Sequence, residues 1–220
     1  RNITIGSSAG GSITSSSNNV LIGQDAGKTI TNSGNENIAI GSGAMDATVD
    51  STGCVAVGKD AMGANSTGVD YAVAIGHSAL KNVNHANADK AVAIGCNALE
   101  TLDSGAGNIA IGYAAGNAIT SGSRNIAIGN ETLTETSATA MTGDDNIAIG
   151  HNAGIKMEQS ANRNILIGSY AGDGQTVADD MIFIGNQAGT GVVTADANGT
   201  VGIGTSALAA LTSGEHNIGI

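Results

Sequence analysis

A triplet of alternating side chains recurs along the whole chain: Ile3-Thr4-Ile5, Val20-Leu21-Ile22, Ile38-Ala39-Ile40 and onward to Ile218-Gly219-Ile220. Its first residue is always Ile or Val, its third is Ile in every copy except Val57, and its middle residue is usually Ala. Glycine follows each complete triplet, at Gly6, Gly23, Gly41, Gly58, Gly76, Gly95, Gly112, Gly129, Gly150, Gly168, Gly185 and Gly204, spaced 17 to 21 residues apart. Period-two alternation of β-branched residues predicts a short strand, and self-similarity at a fixed spacing predicts a stacked repeat architecture. The fold expected is all-β, a parallel β-solenoid (β-roll) of about 12 coils of 17–21 residues. Residues 1–220 would form a single repeat domain, a fragment of a longer fibre chain. No coil buries enough apolar surface to stand alone, so stability must come from neighbours in the stack.

Alternation puts both β-branched residues of a triplet on one face and the middle residue on the other. The bulkier pair is expected in the core. The middle position remains small or apolar in nearly every copy, with Thr4, Leu21, Leu166 and Phe183 as departures from Ala or Gly. That predicts a covered outer face, most simply against a neighbouring copy of the chain. Ala stands three places after the glycine in all but one copy, Thr132, and an apolar residue often follows four places later, as at Ile30, Val83, Leu102, Ile119 and Met157. This pattern suggests a second, weaker strand. The glycine between the two marks a corner that needs a positive φ or close backbone approach. Asn recurs four places before the glycine, at Asn2, Asn19, Asn37, Asn108, Asn125, Asn146, Asn164 and Asn217, and predicts a ladder of stacked amides, interrupted at Cys54, Ala72, Ala91, Met181 and Thr200.

Composition narrows the alternatives. The 34 glycines, single Phe and absence of Trp and Pro leave little aromatic bulk for a globular core. A net charge of −11 with scattered Lys and Arg offers no basic stripe for nucleic acid. No apolar run is long enough to span a bilayer, so no membrane contact is expected of this segment. Cys54 and Cys96 lie two coils apart, beyond disulfide reach, and are read as free thiols.

The clearest copy, Asn108-Ile109-Ala110-Ile111-Gly112-Tyr113-Ala114-Ala115-Gly116, resembles the head repeat of trimeric autotransporter adhesins of the YadA type, and the likeness runs over all 220 residues. The resemblance implies a left-handed parallel β-roll and a homotrimer of chains packed side by side. The unit here is longer than in those heads and is often followed by Ala-Gly or Ala-Leu, as at Ala26-Gly27 and Ala79-Leu80, which looks more like the repeats of phage tail fibres. The function expected is a structural and adhesive segment of an extracellular or virion fibre, non-catalytic. Its alternatives are the head of a bacterial surface adhesin, a pure spacer with the binding site elsewhere and, last, a glycan-processing enzyme. The location expected is extracellular, on a virion tail fibre or a bacterial cell surface.

Catalytic chemistry has little to work with. No nucleophile stands with a base, and no Gly-Lys-Ser or Gly-Lys-Thr follows the glycines. The irregular spacing also excludes the six-residue rule of hexapeptide acyltransferases, and no flat Thr ladder suggests ice binding. The pairs Asp144-Asp145 and Asp179-Asp180, near Asp173, are the one arrangement that could suit Ca²⁺, but solvated turns explain them, so no metal or cofactor is expected. Candidate contact turns for host-surface glycan or protein are Tyr113 and Tyr170 beside their corners, and Thr139, Met141, Asp144 and Asp145 in the longest repeat.

Overall fold

The structure, a computed structural model, describes residues 1–31, 33–64, 68–83, 85–134, 140–157, 159–174, 177–191 and 197–220. Each triplet forms a strand, from β1 (Ile3–Ile5), β2 (Val20–Ile22), β3 (Ile38–Ile40), β4 (Val55–Val57), β5 (Val73–Ile75) and β6 (Val92–Ile94) to β7 (Ile109–Ile111), β8 (Ile126–Ile128), β9 (Ile147–Ile149), β10 (Ile165–Ile167), β11 (Ile182–Ile184), β12 (Val201–Ile203) and β13 (Ile218–Gly219). The fold is an all-β parallel β-solenoid of about 11 turns. One turn of 3-10 helix stands at Ala86–Ala88.

The chain divides into two compact units, Arg1–Asn108 and Ile109–Ile220. Within each, consecutive strands pair in parallel with the triplets in register, Ile3 against Val20 and Val20 against Ile38 in the first, Ile126 against Ile147 and Ile147 against Ile165 in the second. The corner glycines adopt φ near +135°, as at Gly23 (134°) and Gly150 (136°). At Gly23 a Cβ would stand 2.5 Å from the carbonyl oxygen of Gly41 in the next coil. Neither that φ nor that space admits a side chain.

The strand faces are the reverse of the expectation. The middle residues point inward: Leu21, Ala39, Ala56, Ala74, Ala93, Ala110, Ala127, Ala148, Leu166 and Phe183 are all fully buried within the chain. The β-branched residues on either side point outward and are half-buried or exposed. The middle position is therefore small because the coil's own interior is narrow, and no neighbouring chain is needed to cover it.

Inside, size is matched six residues apart. Where the middle residue is Leu21, Leu166 or Phe183, the residue four after the corner is Gly27, Gly172 or Gly189, and a Cβ on Gly27 or Gly172 would come within 2.7 Å or 2.6 Å of the leucine it faces. Where the middle residue is Ala39, Ala56, Ala74, Ala93 or Ala127, its counterpart is Met45, Met62, Leu80, Leu99 or Leu133, all fully buried. In these coils one large and one small side chain fill the layer, as close packing demands, whereas Ala110 with Gly116 and Ala148 with Gly154 are small at both places, and Leu133 and Leu166 of the adjoining coils close on Gly154.

Among the described residues the second strand does not form. Residues two and four after the corner adopt left-handed backbone, among them Asp25 (57°), Met45 (53°), Ser78 (55°) and Leu80 (51°), and alternating left-handed residues cannot extend. Coil-to-coil bonds persist there, such as Met45 N–H to Ala61 C=O at 3.0 Å. The apolar residues beyond the turn still reach the core: Ile30, Val83, Leu102 and Ile119 are fully buried. One isolated parallel bridge, Ile119 to Met141, stands where that strand was expected.

Candidate functional site

Three features of the surface could carry function: the outward strand face, the row of residues just past the corners, and the column just before the strands. The outward face is built entirely of β-branched hydrocarbon. All 26 first and third triplet positions hold Ile or Val. Several are more than a third exposed, including Ile38 (38%), Ile75 (39%), Ile111 (38%) and Ile203 (40%). Thr shares their preference for strands and tolerates water, yet it occupies none of these positions. Strand propensity alone does not account for the choice.

Beneath one edge of that face runs the Asn ladder, now with its bonding defined. The Oδ1 of Asn2, Asn19, Asn37, Asn125, Asn146 and Asn164 accepts the N–H of the equivalent residue one coil on, as in Asn37 N–H to Asn19 Oδ1 (2.8 Å) and Asn164 N–H to Asn146 Oδ1 (3.0 Å). Each Nδ2 donates to a turn carbonyl, as from Asn37 to Ser51 C=O (2.6 Å) and Asn164 to Ala178 C=O (2.9 Å). Cys54 stands in the same ladder. Its thiol donates to Val69 C=O at 3.0 Å, and its sulfur accepts the Ala72 N–H at 3.4 Å. Burial pushes this thiol up to about 11, above the ordinary value of 9.0. Both cysteines are free.

A second ladder, six residues before the corner, was missed in the sequence. Asp70 Oδ1 accepts from Thr52, Asp144 Oδ1 from Ser123, Asn162 Oδ1 from Asp144 and Asp179 Oδ1 from Asn162, all backbone N–H groups 2.7–2.9 Å away. Asp and Asn recurring at one offset was the available signal. One residue later lies a charged column. Arg124 grips Asp145 through Nε (2.6 Å) and Nη2 (2.8 Å), and Arg163 grips Asp180 through the same pair (2.6 and 3.0 Å). Those guanidinium bonds hold the Asp145 and Asp180 carboxyls below the usual carboxylate range. Asp173 pairs with Lys156 at 3.0 Å. The acidic pairs are thus spent on backbone N–H groups and arginines, and among the described residues no group of three or more His, Cys, Asp or Glu is placed to hold a metal ion.

The candidate contact residues separate. Tyr113 is 50% exposed beside Gly112. Tyr170 lies past Gly168 in left-handed backbone (φ 57°), its ring edge-to-face with His151 at 5.2 Å. Met141 is corrected: it is fully buried and bridged to Ile119, drawn in by the same apolar row that holds Ile30 and Leu102, so it offers nothing to a partner. Asp144 and Asp145 are part-exposed but already bonded as above. Thr139 lies outside the described residues, as do 192–196 of the other long return.

In comparison with known proteins, no family model matches the chain, and no curated protein or solved structure does either. No helix among the described residues is long and apolar enough to cross a membrane.

Proposed function

We propose that this segment is the structural shaft of an extracellular or virion-borne adhesive fibre, in which left-handed coils of three identical chains pack side by side through their Ile and Val faces. The observation that carries the reading is the outward face itself, two ladders of β-branched residues with no polar interruption along either unit. Monomeric proteins seldom leave so continuous an apolar surface in water, and identical surfaces on identical chains close most readily by rotational symmetry. The likeness to adhesin head repeats and phage tail fibres supports the same arrangement. The segment does no chemistry of its own in this reading, and its turns meet a host-surface glycan or protein.

Sedimentation equilibrium of the 220-residue chain tests it. A mass of three chains is expected at micromolar concentration. Replacing Ile38, Ile75, Ile149 and Ile184 with Thr should yield a monomer whose far-ultraviolet circular dichroism is retained. A parent chain that sediments as a folded monomer refutes the assembly.

A further inference from the structure

The row of residues one and two places past the corners differs between the units. In the N-terminal unit the first of these places holds Ser7, Gln24, Ser42, Lys59, His77 and Cys96. In the C-terminal unit the row gathers rings and amides on successive coils. Tyr113 C=O accepts the N–H of Glu131 (2.9 Å), Asn130 C=O that of Asn152 (3.0 Å), and His151 C=O that of Tyr170 (2.9 Å). These bonds set Tyr113, Asn130, His151 and Tyr170 along one edge over four coils. Tyr113 and Tyr170 are three coils apart, roughly 14 Å at a coil rise of about 4.8 Å. The edge-to-face contact holds the His151 and Tyr170 rings perpendicular, at 80°, so their faces point in different directions. Next to His151, Asn152 is 9% exposed and its Oδ1 is buried with no donor among the described residues.

We propose that this row binds a neutral oligosaccharide lying along the stack. Pyranose rings present a C–H face that covers an aromatic ring and a rim of hydroxyls that need donors and acceptors. Tyrosine and histidine rings with interleaved amides match that chemistry. Charge selects against acidic sugars. The unit's three cations, Arg124, Lys156 and Arg163, are all paired with carboxylates, and the whole chain carries −11. The inference deepens the adhesive part of the function proposed above and does not depend on how many chains assemble.

Isothermal titration of the 220-residue chain with neutral hexasaccharides (β-1,4-linked glucose and N-acetylglucosamine, α-linked mannose and glucose) and with a polysialic hexamer decides it. At least one neutral hexamer should bind, more tightly than its dimer. Tyr113→Ala and Tyr170→Asn should each weaken it about tenfold, and Tyr113→Phe should retain it. Asn suits the left-handed backbone at 170, and circular dichroism and sedimentation, run in parallel, should be unchanged. Binding that survives both substitutions, preference for the polysialic hexamer, or silence toward every neutral hexamer at millimolar concentration overturns the inference. The sedimentation result separates that failure from failure of the assembly.

Discussion

The inner and outer faces of the strands obey opposite rules. Inside, the middle position ranges from Gly202 through Ala74 and Leu166 to Phe183 while remaining buried. Outside, the flanking positions never leave Ile and Val although water reaches them. The interior tolerates variety because a second residue compensates for it, Gly189 for Phe183 and Leu80 for Ala74. The exterior has no compensating residue in its own chain, and a demand from beyond the chain is what the proposed assembly would supply. In that assembly, constancy across repeats marks contact more faithfully than burial does.

The comparison can be broken most forcefully at the corner, which serves both faces. Gly150→Ala forces a Cβ against the next coil's carbonyl at φ 136°, and should cost about 3 to 5 kcal/mol in urea denaturation. Inside, Phe183→Ala should cost about 3 to 4 kcal/mol by leaving a cavity. Adding Gly189→Leu should restore more than half of it, because the pair then copies Ala74 with Leu80, and a double-mutant cycle would show the coupling. Asn164→Ala removes the buried side-chain bonds from Nδ2 to Asn146 Oδ1 and Ala178 C=O and the Oδ1 acceptor of the Met181 N–H, with an expected loss of about 2 to 3 kcal/mol.

The smallest effect lies at Cys54. Cys54→Asn should complete the ladder toward Val69 and Ala72 and add about 1 kcal/mol. The thiol also carries a pH signature. Its proton is held more tightly when folded, so its contribution is complete below pH 9 and is lost as pH rises toward about 11. Thermal melts across that window should fall for the parent chain and fall less for Cys54→Asn.

Strand positions and corners were legible because Ile-Ala-Ile-Gly repeats without ambiguity. Which face was inside was not. Alternation separates two faces without orienting them, and bulk misleads when the cavity is narrow. The orienting clue was present six residues away, in the exchange of Leu21 with Gly27 for Ala39 with Met45. Reading it requires the left-handed turn that brings those positions together, and local rules do not place Met or Leu at positive φ. The same turn hid the fate of the second strand. Of the candidate contacts, Tyr113 was legible from its place beside Gly112, whereas Met141 looked like loop because its bridge partner Ile119 lies one whole repeat away. Arg124 and Arg163 passed unnoticed as scattered cations until the coils stacked them beside Asp145 and Asp180.

That alternation of Arg124, Asp145, Arg163 and Asp180 has a consequence during folding. Strands such as Ile126-Ala127-Ile128 and Ile147-Ala148-Ile149 are interchangeable to one another, so nothing in their hydrogen bonding identifies the proper neighbour. A coil skipped during winding would bring Arg124 against Arg163, or Asp145 against Asp180, and the like charges would repel. The charges thus act as an address for sequences that otherwise cannot tell themselves apart.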